Sequence, residues 1–62
     1  MTNIKFMKYD GWSLNNNQFL TIINACEIND LYLIEISTET ETETRYTYKT
    51  VTRKELLNYW NC

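Results

Sequence analysis

The sequence predicts an α+β fold: one small β-α-β-β-α domain over residues 1–62, with a three-stranded antiparallel sheet in the spatial order 1-3-2, two packing helices and a projecting acidic β-hairpin. Three observations predict it. Leu31 to Thr52 separates apolar from charged residues with period two; Phe19, Ile22, Ile23 and Cys26 recur at helical spacing; and Thr52-Arg-Lys-Glu55 reads as a capping box ahead of Leu56.

The first element is a short strand, Ile4-Lys-Phe-Met-Lys-Tyr9, with Ile4 and Phe6 on one face and Met7 and Tyr9 on the other. Asp10-Gly11 supplies the turn after it, because Gly11, the single glycine, takes positive φ freely. Phe19, Ile22, Ile23 and Cys26 then fall at i, i+3, i+4 and i+7, which predicts a helix over residues 14–26 capped by Ser13 or by Asn15 with Gln18. Cys26 lies on its apolar stripe and is expected in the core.

Leu31 to Thr52 is the expected hairpin. Its even positions carry Tyr32, Ile34, Ile36, Tyr46 and Tyr48, and its odd positions carry Glu35, Glu39, Glu41, Glu43, Arg45 and Lys49. That alternation suits a sheet with one packed and one wet face. Two registers keep those faces. One sets Thr40 opposite Thr44, with Glu35 against Lys49 and Ile36 against Tyr48; the other sets Ile34 against Tyr46 and Tyr32 against Tyr48. The last element is a helix from Thr52 to about Asn61, with Val51 and Leu56 as a hydrophobic staple. Such a short helix persists only by docking. A right-handed crossover from the first strand leaves a gap for the third, hence the order 1-3-2.

Sixty-two residues bury about 60% of their unfolded surface, so the stability margin is thin. Hydrophobic content of 44% with five tyrosines, two tryptophans and two phenylalanines argues for a packed core. The chain has no proline, one glycine and one alanine against eight asparagines and six isoleucines, the residue usage of an AT-rich coding source such as a low-GC bacterium or its phages. Nothing near Met1 reads as a signal peptide, and the longest apolar run, Leu31 to Ile34, is far short of a membrane span. A cytoplasmic location with free Cys26 and Cys62 follows as the expectation.

Catalysis has little to work with. Histidine is absent, and Ser13, Ser37, Cys26 and Cys62 have no activating partner nearby in sequence. Two isolated cysteines make no zinc site, one glycine excludes a phosphate cradle, and the glutamates lack the pattern of a calcium loop. The expectation is a non-enzymatic protein with no cofactor and no metal.

Ser37-Thr-Glu-Thr-Glu-Thr-Glu-Thr44 has no apolar side chain, so core packing stops at Ile36 and resumes at Tyr46. The hairpin is therefore expected to project past the core by ~13 Å, with β-branched threonine keeping it extended. Its glutamates discourage edge-to-edge pairing. If extended, Glu39, Glu41 and Glu43 would also recur every ~6.8 Å on one face, close to the phosphate spacing along a nucleic-acid strand. Such a ribbon could block a basic groove.

Arg45-Tyr-Thr-Tyr-Lys49 superficially resembles the aromatic-basic strands of single-strand binders. Alternation separates the tyrosines from the cations and puts Tyr46 and Tyr48 on the face of Ile34 and Ile36, which favours core packing. Direct nucleic-acid binding is therefore not expected, and the acidic balance of −2 agrees. Tyr9, Trp12, Tyr59 and Trp60 are expected to be partly exposed, and exposed tyrosine and tryptophan anchor interfaces. The function expected is a small inhibitor or regulator of a larger protein, of the counter-defence type that phages or mobile elements encode, for example a CRISPR nuclease inhibitor. Its partner-binding residues are Glu39, Glu41, Glu43, Tyr59 and Trp60. The partner would be a nucleic-acid-binding host protein; a homodimer is a further expectation. The alternatives are a small DNA- or RNA-binding regulator and an accessory subunit of a larger assembly.

Overall fold

A computed structural model describes residues 6–26 and 28–60. The chain forms a four-stranded antiparallel meander, β1 (Gly11–Asn15), β2 (Gln18–Cys26), β3 (Leu31–Glu39) and β4 (Thr44–Thr52), in the spatial order of the sequence, followed by one helix, α1 (Arg53–Trp60). This overturns the expected three-stranded 1-3-2 sheet with two helices. Short connections explain the difference: only Asn16-Asn17 separate β1 from β2 and only Thr40–Glu43 separate β3 from β4. Links of that length pair consecutive strands directly.

The expected helix over 14–26 is β2. Phe19, Thr21, Ile22 and Ile23 are aromatic or β-branched and favour strand. Within it Leu20 and Ile22 are fully buried, a period of two. An irregularity between Ile22 and Asn24 then brings Ala25, rather than Asn24, into register with buried Tyr32. Alternation interrupted by one extra residue imitates helical spacing. The asparagines and Gln18, read as helix caps, close the β1–β2 hairpin: the Asn17 amide donates to Asn15 Oδ1 (3.0 Å) and Asn15 Nδ2 to Gln18 Oε1 (2.7 Å). Cys26, expected in the core, is exposed on β2.

The expected first strand lies partly outside the described residues. Phe6 is buried, Met7 and Tyr9 are exposed, and Met7 to Asp10 is a turn in which Asp10 donates its amide to Met7 O (3.0 Å). Gly11 does not have positive φ; Tyr9 (72°) and Asp30 (55°) do. Gly11 is needed for a different reason, because its Cα faces the Phe19 ring and the Leu20 carbonyl.

The β3–β4 hairpin forms, but in a register that neither expectation contains. Glu35 opposes Tyr48, Ile34 opposes Lys49 and Tyr32 opposes Val51. An odd offset exchanges the faces of β4, so Val51 joins Tyr32 and Ile34 while Tyr46 and Tyr48 face away from the core. The helix is the reason. Thr52 and Glu55 make the capping box, each backbone amide donating to the other's side chain at 3.2 Å. Val51 and Leu56, the staple positions, are both buried. Arg53 also donates its amide to Asp30 O (3.2 Å), tying the helix start to the β2–β3 turn. Val51 must face the core for Leu56 to land there.

The core is Phe6, Leu20, Ile22, Tyr32, Ile34, Val51 and Leu56, bordered by Trp12, Leu14, Ile36, Leu57 and Tyr59. Trp60 at the helix end stands edge-on to Trp12 (5.0 Å between ring centroids) and to Phe6 (6.2 Å), so α1 crosses from β4 to β1 over one face of the sheet. The described chain measures 39 × 21 × 16 Å. No helix among the described residues is long and apolar enough to cross a membrane.

Candidate functional site

The expected projecting finger is not a free two-stranded ribbon. β2 pairs with β3 as far as Gln18 opposite Thr38, and the Glu39 amide donates to Asn17 O (2.8 Å). The β1–β2 turn thus flanks β3 almost to its end, and only Thr40–Glu43 extend beyond as a loop. Thr40 closes that loop: its amide and hydroxyl both donate to Glu43 O at 2.8 Å, and the Glu43 amide donates to Thr40 Oγ1 (3.1 Å). β3 ends at Glu39, so Glu39, Glu41 and Glu43 do not form an evenly spaced extended ladder. They do cluster, all exposed, at one end of the molecule. Glu43 pairs with Arg45 Nε (2.9 Å), across a contact that water reaches freely.

Tyr59 and Trp60 lie elsewhere, on the helix side of the sheet. Tyr59 accepts a hydrogen bond from Lys49 Nζ (3.4 Å), and Trp60 packs on Trp12 while remaining 46% exposed. They belong to the helix-side packing, while the three glutamates form the tip.

The sequence reading missed the opposite face. Register sets Ser13, Phe19, Ser37 and Tyr46 in one row across the four strands, and Gly11, Thr21, Glu35 and Tyr48 in the next. No helix covers these rows: Phe19 is 46% exposed and Tyr46 and Tyr48 are each 58% exposed. Tyr46 and Tyr48, expected in the core, are therefore its most prominent surface side chains. A depression of about 410 Å³ on this face is lined by Ser37, Glu35, Glu39, Phe19, Tyr46 and the β1–β2 turn, with the Phe19 ring leaning over Gly11. Ser37 Oγ donates to Phe19 O (3.3 Å) and the Tyr48 hydroxyl to Glu35 Oε2 (2.8 Å). That hydrogen bond, aided by the carboxylate's charge, raises the Tyr48 phenol above its ordinary range. The signal that could have found this face is Val51: placing it in the core with Leu56 fixes the parity of β4 and turns both tyrosines outward.

Among the described residues no group of three or more acidic, cysteine or histidine side chains is placed to hold a metal. Comparison with known proteins gives no significant match to any family model, curated protein or solved structure.

Proposed function

We propose that this chain is a small non-enzymatic binding protein that inhibits or regulates a larger protein by covering a basic, nucleic-acid-binding surface. The observation that carries this reading is the charge at the hairpin end, where Glu39, Glu41 and Glu43 stand exposed with Arg45 as the one cation beside them among the described residues. A compact acidic end steers toward a basic partner and competes there with phosphate. A nuclease of a host defence system has such a surface and is the partner class proposed.

The exposed aromatics on the open face support the second reading, a nucleic-acid-binding regulator, since bases stack on such rings. The charges beside them oppose it. The charged strand residues that share that face are Glu35 and Glu39, whereas Arg45 and Lys49 point to the helix side. Phosphate would be repelled where bases would have to stack.

The test begins with capture from a host lysate on immobilised wild type and on the Glu39→Gln, Glu41→Gln, Glu43→Gln triple variant, at low and high salt. Each protein retained by wild type alone is then purified and its binding to a labelled DNA duplex measured. The expected result is a nucleic-acid-binding protein whose grip on the duplex is relieved by wild type and not by the variant. Retention that ignores both salt and the substitutions would overturn the proposal.

A further inference from the structure

The two edges of the sheet are not alike. β1 is five residues long and breaks register between Ser13 and Asn15, so it offers little to another strand. β4, the other edge, runs nine residues and keeps one register with β3 from Thr44 to Thr52. It has no proline and no bulge, and Thr44 to Thr50 are all exposed. Apart from Arg45 and Lys49 it consists of threonine, tyrosine and valine, residues that favour strand. α1 leaves this edge open, because it crosses from β4 to β1 over one face.

The backbone bonds show which groups the edge presents. The Glu39 amide donates to Asn17 O on the β2 side, and the Thr40 amide donates to Glu43 O on the β4 side. Odd residues of β3 therefore bond β2, and even residues bond β4. The register carries that alternation across. Arg45, Thr47, Lys49 and Val51 bond β3, while Thr44, Tyr46, Tyr48 and Thr50 aim amide and carbonyl outward. No further strand of the described residues lies on that side. A regular row of such groups is a template for another strand. The two cations that could obstruct it are held on the helix side, Arg45 by Glu43 (2.9 Å) and Lys49 by the Tyr59 hydroxyl (3.4 Å).

We propose that a second copy of this chain fills the edge, β4 against β4 antiparallel about a two-fold axis at Tyr46, joining two four-stranded sheets into one. Charge and capping select the axis. At Thr47 it would set Arg45 against Lys49 of the second copy twice, with like charges directly opposed. At Tyr48 it would need the Thr52 amide, which already donates to Glu55 (3.2 Å). At Tyr46 it sets Glu43 against Lys49 on both sides, Tyr46 against Tyr46 and Thr44 against Tyr48. Opposite charges and aromatic pairs across strands both stabilise. The outward amides and carbonyls of Thr44, Tyr46 and Tyr48 are then all satisfied. This contact of the chain with itself does not rest on the partner class proposed above.

Sedimentation equilibrium of the purified chain over a wide range of concentration tests it. The mass should rise from 7.5 kDa toward twice that value. Amide exchange at Thr44, Tyr46 and Tyr48 should slow as concentration rises. Tyr46→Pro removes an outward amide and no bond to β3, so it should stay monomeric with the sheet signal in circular dichroism intact. Glu43→Lys and Lys49→Glu each oppose like charges at both pairs and should weaken association about tenfold. The double variant restores opposite charges and should recover the association. Should Tyr46→Pro unfold, the charge exchange decides alone. A monomer mass at every concentration, a dimer that a folded Tyr46→Pro leaves intact, or a double variant no tighter than the single ones each overturns the proposal. The chain is measured alone, so the result stands whatever the lysate experiment finds.

Discussion

Gly11→Ala isolates a contact on which the sheet depends. Gly11 has no positive φ, so its backbone conformation is open to alanine, and the substitution should gain about 0.4–1 kcal/mol by restricting the unfolded chain. The space is not open. A Cβ there would meet the Leu20 carbonyl oxygen at 2.6 Å and Phe19 Cε2 at 2.9 Å. The Phe19 ring is half exposed and can turn aside; the Leu20 oxygen belongs to the backbone of the β1–β2 ladder and cannot move without parting β1 from β2. Overpacking of this kind costs roughly 1–3 kcal/mol, leaving a net loss of about 1–2 kcal/mol. For a domain of this size that lowers Tm by about 5–15 °C and the urea midpoint by about 1–2 M. Urea unfolding followed by circular dichroism reads it directly. An unchanged or raised midpoint would refute the close approach of β1 to β2. Repeating Gly11→Ala on a Phe19→Ala background separates the two obstacles, since the ring's share disappears and the oxygen's share remains; a harmless second substitution would refute the backbone contact alone.

Three further outcomes follow from the same structure. Ile34→Ala removes a fully buried side chain at the centre of the sheet and should cost about 2–5 kcal/mol, enough to leave so small a domain largely unfolded at 25 °C by circular dichroism. Thr52→Ala breaks the reciprocal bonds with Glu55 and should cost about 1 kcal/mol, seen as a Tm about 4–8 °C lower with the sheet signal intact below the transition. Tyr48 should be late to ionise: its folded pKa is raised, so its hydrogen bond to Glu35 supports the fold fully below pH ~10 and loses that support as pH rises through the folded value. The phenolate absorbance of wild type minus Tyr48→Phe should show one titration above the ordinary phenol range, and Glu35→Ala should return it to that range.

The capping box, the staple and the existence of the β3–β4 hairpin were legible in the sequence because each depends on residues close together along the chain. β2 was not, because Phe19, Ile22, Ile23 and Cys26 fit a helix as well as they fit a strand with one extra residue near Ile23. The β-branched composition of Thr21, Ile22 and Ile23 favoured strand and was outweighed by spacing. Asn15 through Gln18 carries the same ambiguity, since asparagine caps helices and closes hairpins by the same side-chain-to-backbone bonds. At the candidate site the glutamates were legible as an exposed cluster. The evenly spaced ladder expected of them does not form, because the odd β3–β4 register that brings Val51 and Leu56 into the core ends β3 at Glu39 and puts Glu41 and Glu43 in the loop.

The parity of β4 links fold to function. With Val51 outward and Tyr48 inward, the staple would have no core to close on, α1 would lose Leu56 as its anchor, and two tyrosine hydroxyls would be buried beside Ile34 and Ile36, where a polar group without a partner costs about 1–3 kcal/mol. The observed register avoids all three penalties at once, placing Lys49 where its ammonium can reach Tyr59 and Tyr48 where its hydroxyl can reach Glu35. The same step turns Arg45 and Lys49 to the helix side and Tyr46 and Tyr48 to the open face, beside Phe19 of β2 and Glu35 and Glu39 of β3, which stand there in either register. The requirement that seats the helix therefore also decides that the free side of the sheet presents both tyrosines of β4 and neither of its cations.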